Sequence, residues 1–383
     1  MITGITIQNF KLFRTKTTFD GFKAINVLTG INGRGKSSLL HALLLPKQSL
    51  LESQWNDKLV LNGQYVNLGN AVDIRNEKNS RSVPIGFDYH TTGGSIELLF
   101  NADSDTWQKL PLTNVNGSVY TERMRISNFV EIDKKENQDI SHLLSGITYI
   151  AAERKGPQLN YAPAPEHGLI DAQGEYAPCL FSLHKDDIIE EVAISGITDI
   201  FPEIDEVNDW SFAGIANYWM SRMFGYTEIE ARYVEEANVY VLQIGTAMKI
   251  KVSKPTNVGF GYSYVLPIIV AGLTSKRGEI LIVENPEAHL HPMAQSVLGK
   301  FMAWIAKYRG IQLFVETHSE HIVNSFRVLV AQQVITADEL DILFFDEMYD
   351  NYATRIIVDD NGHIENWPPN FFDQEEKDLD IIV

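Results

Sequence analysis

The sequence has 383 residues, of which 44 % are hydrophobic and 21 % are charged, so the chain can bury a large core in one large or two ordinary domains. Its formal net charge of −18 excludes a general electrostatic attraction to nucleic acid, which needs clustered Lys and Arg, so any such contact is local or made through a partner. The single cysteine, Cys179, excludes an intrachain disulfide and a cysteine-based zinc site, and it fits a reducing cytoplasm.

Two strands, a glycine-rich loop and a helix are predicted at the start of the chain. "ITGITIQNF" and "AINVLTG" have strand patterns, and the second leads through the loop into "KSSLLHALLL", a helix that Pro46 is predicted to end. The opening lacks the continuous apolar core of a signal peptide, and no later run is long enough to span a bilayer. From about residue 60 to 135, short strands between turn formers predict a small antiparallel sheet.

The second part of the chain alternates strands and helices. A strand ending near Ala151 is followed by a polar loop, an acidic helical stretch to about residue 225, and a hairpin predicted in "VYVLQIGTAMKIKVS". "SYVLPIIVAGL" is predicted to be helical, with Pro267 in its first turn. Two buried strands, "GEILIVE" and "GIQLFVET", flank an amphipathic helix that begins at Pro292, and this order predicts a parallel sheet.

The loop "GINGRGKSS" fits the phosphate-binding pattern G-x-x-x-x-G-K-[ST] without a mismatch, between a strand and a helix. Its glycines let backbone amides turn toward a phosphate at the positive end of the helix, the lysine can reach the β and γ phosphates, and the serine can bind Mg²⁺. A glycine-rich turn capped by serine is the alternative. The predicted cofactors are ATP and Mg²⁺, and the predicted nucleotide-binding residues are Gly30, Asn32, Gly33, Gly35, Lys36, Ser37 and Ser38.

A second group of polar residues follows the two buried strands. Glu284 ends "ILIVE" and is predicted to bind Mg²⁺ together with Ser37, and His318 follows "LFVET", from where it can sense a γ phosphate. Thr317 and Ser319 could instead only cap the next helix.

His289 and His291 lie two residues apart just before Pro292. They could cap or pack around the start of that helix, or bind zinc together with nearby acids. Because side chains two apart diverge on a helix, the zinc site is the less favoured alternative.

In this order the motifs resemble those of ATPases with ATP-binding-cassette (ABC)-type heads, the group that includes SMC proteins, RecF and the overcoming-lysogenization-defect nucleases. "ITIQNFKLF" and "VLTGINGRGKSSLL" resemble the N-terminal lobe of that group, "NVGFGYSYVLPII" its signature segment, "LIVENPEAHLHP" its Walker B motif and "VETHSEHIVN" its switch-histidine segment. The resemblance implies an α/β fold, an ABC-ATPase-like head with a mixed or parallel central sheet, an antiparallel β subdomain and a helical lobe, without coiled-coil arms.

The implied head spans residues 1–383, with an N-terminal lobe at 1–155, a helical insert at 156–230, a lobe with the signature, Walker B and switch-histidine motifs at 231–335, and a C-terminal segment at 336–383. That segment, "GHIENWPPNFFDQEEKDLD", resembles a W-P-x-G-F-F-D domain of a bacterial subgroup, with Asn370 in place of the glycine. Asn also tolerates positive φ, so the turn is expected to persist. Members of the subgroup often occur in anti-phage systems of the Septu or PARIS type, where the ATPase works with a separate nuclease.

The resemblance also implies a homodimer or higher oligomer in which ATP is held between two heads. Gly259, Gly261 and Ser263 would then face the γ phosphate bound by the other protomer. Arg154 is a candidate for a phosphate or dimer contact, or else an exposed loop arginine. Gln48, Gln54 and Gln64 are alternative candidates for the glutamine that completes the Mg²⁺ shell.

In most relatives an acid follows the Walker B carboxylate and orients or deprotonates the attacking water, whereas this chain has Asn285 there. An amide can hold water but cannot accept its proton at neutral pH, and a lost general base costs about 10²- to 10⁴-fold in rate. The sequence therefore predicts a slow ATPase. Glu287, two residues further on, is a candidate replacement base.

The predicted function is an ATPase subunit in anti-phage defence, whose ATP-dependent dimerisation scaffolds or regulates a separate effector, a nuclease. The alternatives are a RecF-like accessory that clamps DNA, which the acidic charge disfavours, and a binding module in which ATP only stabilises the fold. DNA bridging by coiled-coil arms is excluded because residues 38–256 show no heptads, and a self-contained nuclease is excluded because residues 322–383 are too short for its carboxylate domain. No membrane partner is expected.

Overall fold

A computed structural model describes residues 1–52, 58–116, 118–119, 144–165, 170–203, 207–247, 252–346 and 352–382. The strands are β1 (Ile2–Gln8), β2 (Thr17–Asp20), β3 (Ile25–Gly30), β4 (Lys58–Val60), β5 (Ile85–Thr91), β6 (Gly94–Phe100), β7 (Lys109–Val115), β8 (Ser118–Val119), β9 (Ile147–Ile150), β10 (Thr227–Val234), β11 (Val239–Thr246), β12 (Ile280–Glu284), β13 (Gln312–Glu316), β14 (Leu340–Phe345) and β15 (Thr354–Ile356). The helices are α1 (Lys36–Glu52), α2 (Ala71–Ile74), α3 (Ala177–His184), α4 (Glu191–Ile200), α5 (Phe212–Phe224), α6 (Phe260–Thr274), α7 (Pro292–Arg309), α8 (Glu320–Ala331) and α9 (Gln374–Ile382).

The chain divides into two compact units. Unit 1 comprises Met1–Lys23, Ile31–Ile147 and Glu347–Tyr352, and unit 2 comprises Ala24–Gly30, Thr148–Asp346 and Ala353–Val383. The division of the head into four segments, with boundaries at 155, 230 and 335, stays a prediction. Among the described residues, no helix combines the length and the apolar composition that crossing a bilayer would require.

Unit 1 is built on an antiparallel sheet with the strand order β2-β1-β5-β6-β7-β4, and β8 pairs with β7. Buried apolar residues largely alternate with less buried residues along β1 and β6, as expected of strands that pack one face on a core. In the described part of residues 60–135 the predicted antiparallel sheet is confirmed, for example by the pairing of β5 with β6. The sheet is larger than predicted, because the N-terminal β1 and β2 belong to it.

Helix α1 does not end at Pro46, as the sequence analysis predicted, but continues to Glu52. A proline inside a helix frees the carbonyl four residues earlier, which here is that of Ala42. The buried Tyr89 hydroxyl donates to this carbonyl at 2.7 Å, so the freed acceptor is satisfied from another element. The prediction was wrong because it considered only the bonds within the helix.

Unit 2 is built on a sheet with the order β15-β14-β3-β13-β12-β9. Strands β14, β3, β13 and β12 run parallel to one another, which confirms the parallel sheet predicted from the order of strands and helix, and β15 is antiparallel to β14. The central strands are buried along nearly their whole length, as expected of a parallel sheet covered on both faces. The longest described helix, α7, has 18 residues, so the described part of the chain contains no coiled-coil arm.

The helices of unit 2 share a large apolar core around α7. Trp219 of α5 and Trp304 of α7 are fully buried with ring centroids 5.6 Å apart, and the Trp304 Nε1 donates to the Ala193 carbonyl of α4 at 2.6 Å. One local prediction needs correction, because Pro267 lies in the middle of α6 rather than in its first turn. The hairpin predicted in residues 239–253 is supported by an antiparallel bridge between Ile244 and Ser253, although residues 248–251 lie outside the described residues. Strand β11 also pairs along its whole length with the preceding β10, which was not predicted.

The C-terminal segment packs on the edge of the unit 2 sheet. Phe371 is 1 % exposed and meets Phe344 of β14 edge-on, with ring centroids 5.2 Å apart, and Trp367 packs on the same ring. Asn370 has a φ of 67°, in the left-handed region that was expected to tolerate asparagine in place of glycine.

Candidate functional site

The ends of three parallel strands bring most of the unit 2 residues of interest to one edge of the sheet. Glu284 of β12 lies opposite Glu316 of β13, and Glu316 lies opposite Leu28 of β3, which ends two residues later at Gly30. In open α/β sheets, ligands bind at the carboxyl ends of the strands. The phosphate loop begins at this edge, because the chain leaves β3 at Gly30.

The backbone of the loop has the shape that a phosphate cradle requires. Gly30, Gly33 and Gly35 have φ values of 123°, 74° and 115°, which only glycine adopts readily, and positive φ is a feature of loops that present backbone amides to an anion. A side chain at Gly30 would overlap the backbone carbonyl of Phe345 on β14, so the strand pairing also requires glycine there. At Gly33 a Cβ would meet no atom within 4 Å, which leaves open space beside the loop.

All of the phosphate loop after Gly30 lies in unit 1, together with α1. Lys36 is 3 % exposed, and its Nζ donates to the Ile31 carbonyl at 3.0 Å, so the ammonium group folds back over the start of the loop. Ser37 and Asn32 are exposed, whereas Ser38 is buried. A glycine-rich loop ahead of a helix, a folded-back ammonium group and an exposed serine at the helix N-terminus suit a triphosphate with its Mg²⁺.

Sequence analysis missed one neighbour of Glu284. The Tyr149 hydroxyl, on β9, is hydrogen-bonded to the Glu284 carboxylate. Burial of Tyr149 raises the pKa of its phenol, and the charge of Glu284, this hydrogen bond and the charge of Glu316 raise it further. Tyr149 therefore stays protonated and donates to the carboxylate. The sequence offered no signal for this, because Tyr149 looks like an ordinary strand residue in "ITYI".

Asn285 has a strained backbone. Its φ is 44°, in the left-handed region, although it precedes Pro286, and proline disfavours helical backbone for its neighbour. The Asn285 amide donates to the Glu316 carbonyl at 2.8 Å, which ties the turn to the end of β13. Its side-chain Oδ1 is buried, and no described residue donates to it. Asparagine tolerates this conformation better than glutamate does, so the local backbone favours the residue found.

Glu287 links the turn to the segment that holds His318. One carboxylate oxygen accepts from the His318 backbone amide at 2.8 Å and the other accepts from the Thr317 hydroxyl at 2.7 Å. Thr317 in turn accepts from the Ser319 amide, and Ser319 caps α8 by accepting from Ile322. Ser319 therefore caps α8, which was one of the predicted alternatives. The Thr317 hydroxyl instead donates to the Glu287 carboxylate. The His318 residue itself is exposed beside this network.

Arg154 is buried rather than exposed, so the alternative of a loop arginine in solvent is wrong. It is 3 % exposed, and its guanidinium donates to the carbonyls of Ala151 at 3.1 Å, Glu284 at 2.8 Å and Asn285 at 2.7 Å. The guanidinium carbon lies 5.3 Å from the centre of the Tyr264 ring on α6. Burial lowers the pKa of Arg154 to about 10, which still leaves it charged at neutral pH. Arg154 thus holds the backbone of the turn that follows β12, where the predicted Walker B motif lies.

The three signature residues differ in exposure. Gly259 is exposed at the N-cap of α6, and a Cβ there would meet nothing within 4 Å. Gly261 is buried against Leu290 and Phe224, and Ser263 is 5 % exposed. Of the three, Gly259 has the free surface that a contact across a dimer would need.

The two histidines after the Walker B turn have structural contacts. His291 is the N-cap of α7, and its Nδ1 accepts from the Met293 amide at 3.3 Å. His289 packs against Tyr264 and Phe260, with ring centroids 4.5 and 5.5 Å away. These contacts are those of the capping and packing interpretation.

The structure describes two of the three candidate glutamines, Gln48 and Gln64. The Gln48 side chain is buried, donates to the Val60 carbonyl, and accepts from the amides of Tyr65 and Val66. Gln54 lies outside the described residues. Gln64 is exposed in the loop after β4.

Two stretches of the chain match models of known families, and the fold matches solved structures. Residues 213–323 match the model of a family described as an AAA ATPase domain, and residues 335–382 match that of a family described as a protein of unknown function, DUF3696. An SMC head domain from Thermotoga maritima is 13 % identical, with 94 % of this chain and 99 % of that chain covered and a TM-score of 0.42.

A second SMC head, solved bound to the C-terminal winged-helix domain of ScpA, is 11 % identical, with 93 % of this chain and 96 % of that chain covered and a TM-score of 0.50. The fold is that of an SMC head. This agrees with the predicted α/β class, with its parallel and antiparallel sheets. A curated protein of Helicobacter pylori (strain ATCC 700392 / 26695), named ATP/GTP phosphatase, is 51 % identical over 43 residues, which is 11 % of this chain and 11 % of that protein.

Proposed function

We propose that this protein is a slow, Mg²⁺-dependent ATPase whose ATP-bound heads pair and thereby regulate a separate effector, a nuclease in bacterial anti-phage defence. The phosphate loop is the observation on which the proposal chiefly depends. Three glycines of the loop have positive φ, and the buried Lys36 folds its ammonium group over the same loop. Such a loop binds the phosphates of a nucleotide. The match of residues 213–323 to an AAA ATPase domain supports the same activity.

The proposed metal ligands are the Ser37 hydroxyl and the Glu284 carboxylate, with Gln54 and Gln64 as the glutamine candidates that stay open. Ser37 is exposed at the start of α1, and Glu284 ends a buried strand, where such ligands are expected. The bond from the neutral Tyr149 hydroxyl orients the Glu284 carboxylate without cancelling its charge. Mg²⁺ would supply positive charge to the γ phosphate.

Hydrolysis is proposed to be slow because Asn285 cannot accept a proton from water. Its buried Oδ1 could orient a water molecule, but a general base is needed for the remaining rate. Apart from the proposed metal ligand Glu284, the nearest carboxylate along the chain is that of Glu287, and both of its oxygens already accept hydrogen bonds from Thr317 and His318. We assign it first to positioning His318, which we propose senses the γ phosphate. A role for Glu287 as the base would require the carboxylate to act while it holds those two donors.

Pairing of heads is proposed to occur through the start of α6. Gly259 presents an unobstructed surface there, and the free amides of a helix N-terminus attract a phosphate bound by another protomer. The regulation of an effector is supported by the related SMC head that was solved with a domain of a second protein. The strongly acidic composition favours a protein partner over DNA.

The proposal is tested by comparing Lys36→Ala with Lys58→Ala, which removes the same charge from an exposed position of unit 1. A fluorescent ATP analogue with Mg²⁺ should bind wild type and Lys58→Ala alike and should bind Lys36→Ala at least about 10-fold more weakly, since the ammonium no longer meets the phosphates. Sedimentation velocity should show a dimer of the wild type with ATP and a monomer with ADP.

Equal ATP binding by Lys36→Ala and wild type would contradict the nucleotide site. A dimer that forms equally with and without ATP would favour a binding module in which ATP only stabilises the fold. Salt-sensitive binding of duplex DNA by the isolated protein with ATP would favour a DNA clamp instead.

A further inference from the structure

A groove of about 520 Å³ lies within unit 2 between α4 and the segment at 207–210, and no residue of the turn after β12 lines it. One side is lined by residues spaced as on one face of a helix, Glu191, Ile194, Ser195 and Thr198, and the other by Val207, Asn208 and Trp210. A groove of this size accommodates one or two large side chains of a bound segment.

Both walls of the groove are fixed. The opposite face of α4 is anchored to α7, since the Trp304 indole donates to Ala193 and Gly196 packs closely on the Tyr308 ring. On the other wall, the Trp210 Nε1 donates to the Val207 carbonyl at 2.8 Å. Because the walls are already ordered, little conformational entropy is lost when a ligand enters.

The rim of the groove exposes large apolar side chains. Trp210 is 39 % exposed, Val192 on α4 is 63 % exposed, and Ile188, one residue from the backbone bond between Ile189 and Trp210, is 72 % exposed. Isolated exposed apolar residues are common, but several around one preformed groove indicate an interaction surface.

The same region holds much of the negative charge of the protein. Residues 183–210 contain nine Asp and Glu residues and one lysine, a formal charge of −8, against −18 for the whole chain. All of the acidic residues described there are exposed, including Glu190 and Glu191 at the start of α4 and Asp209 beside Trp210. The groove therefore combines apolar side chains, those of Ile194, Val207 and Trp210, with polar ones, and acidic residues lie in it and around it.

We propose that this groove binds a positively charged segment of a partner protein, which inserts an apolar side chain between α4 and Trp210 while its Lys and Arg residues pair with the surrounding carboxylates. Charge complementarity selects this occupant, because nucleic acid and anionic lipid surfaces would be repelled. A second copy of the chain would bring a like-charged surface against the groove. The inference adds to the proposed function the place where the effector binds, and it needs no nucleotide.

The test uses the full chain and three fluorescein-labelled helical peptides, one of Lys and Leu, one of Glu and Leu, and one of Lys and Ser, with binding followed by fluorescence anisotropy without nucleotide. The Lys/Leu peptide should bind at least about 10-fold more tightly than either of the others, because the groove needs both charge and an apolar anchor. Raising NaCl from about 50 to about 500 mM should weaken that binding without abolishing it.

Two variants locate the binding. Ser195→Arg places a cation in the groove on an exposed helix position, and Val328→Arg makes the same charge change on the exposed face of α8. Affinity for the Lys/Leu peptide should fall at least about 10-fold for Ser195→Arg and less than about 2-fold for Val328→Arg, while both retain the circular dichroism of the wild type. Trp210→Ala should also lower the affinity for the Lys/Leu peptide, although this substitution leaves the charge of the protein unchanged.

Equal affinity of Ser195→Arg and Val328→Arg would overturn the proposal, as would equal binding of the Glu/Leu peptide. A concentration-dependent dimer that Ser195→Arg abolishes would assign the groove to self-association instead. Lys36→Ala should bind the peptide as wild type does, so a failure of the nucleotide site and a failure of the groove give different results.

Discussion

The substitution Asn285→Glu would restore the acid that most ABC-type heads carry, and its effect can be estimated from the local geometry. A positioned general base contributes about 10²- to 10⁴-fold in rate. The backbone opposes the change, because Asn285 has a φ of 44° and glutamate tolerates the left-handed region less well, at about 1 kcal/mol. If that strain displaces the turn, it can cost about tenfold in rate, so we expect a net gain of about 10- to 10³-fold.

The matched control is Asn285→Gln, which has the same length and backbone preference as the glutamate variant but no basic group. Its turnover should equal that of wild type or fall below it, and both variants should lose about 1 kcal/mol of unfolding free energy because both carry the same backbone strain. The ratio of the two rates therefore measures the carboxylate alone.

Phosphate release at saturating ATP and Mg²⁺ measures the effect, with Lys36→Ala as the background for contaminating activity. Equal rates for Asn285→Glu and Asn285→Gln, both with ATP bound, would refute the argument that a missing base limits hydrolysis. Wild-type protein that hydrolyses several ATP molecules per second would refute it as well.

Three further predictions concern neighbouring contacts and pH. Arg154→Lys should lower the unfolding free energy by about 2 kcal/mol and lower the turnover, because one ammonium nitrogen cannot reach the three carbonyls that the guanidinium fork reaches; chemical denaturation and phosphate release measure both. Glu287→Gln should reduce turnover by about tenfold, since an amide has one acceptor oxygen for two donors, and Thr317→Val should reduce it less because the bond to the His318 amide remains. Burial, with the charge of Lys11, lowers the pKa of His41 to about 3. The unfolded chain therefore binds a proton below about pH 6.5 that the folded chain resists, so stability is lost as pH falls, by about 1 to 2 kcal/mol at pH 5; His41→Gln should reduce this loss in urea unfolding at pH 7.5 and 5.

The sequence was informative where a motif fixes the local backbone. The spacing from Gly30 to Ser37 specifies a loop, and the alternation of strands and a helix around Glu284 specifies a parallel sheet, because both depend on neighbours close along the chain. The same holds for Pro292, whose position at the start of α7 is confirmed. These features follow from short-range sterics and hydrogen bonds.

Contacts between distant parts of the chain could not be predicted in this way. Pro46 does not end α1, because Tyr89 supplies the missing bond from another strand. Arg154 looked like a loop residue in the sequence. Only the fold shows that its guanidinium donates to the carbonyls of Glu284 and Asn285, which are about 130 residues away along the chain. Tyr149 beside Glu284 gave no signal for the same reason.

The turn after β12 also explains why a single position there was hard to interpret. Its backbone is held by Arg154 from one side and by the bond from the Asn285 amide to Glu316 from the other, and Glu287 fixes it to Thr317 and the residue after it. A turn held at so many points cannot relax to suit a new side chain, so the residue at 285 must fit a left-handed backbone before it can serve any chemistry. Asparagine satisfies that requirement, and the same constraint that keeps the turn in place therefore favours a residue that cannot act as a base.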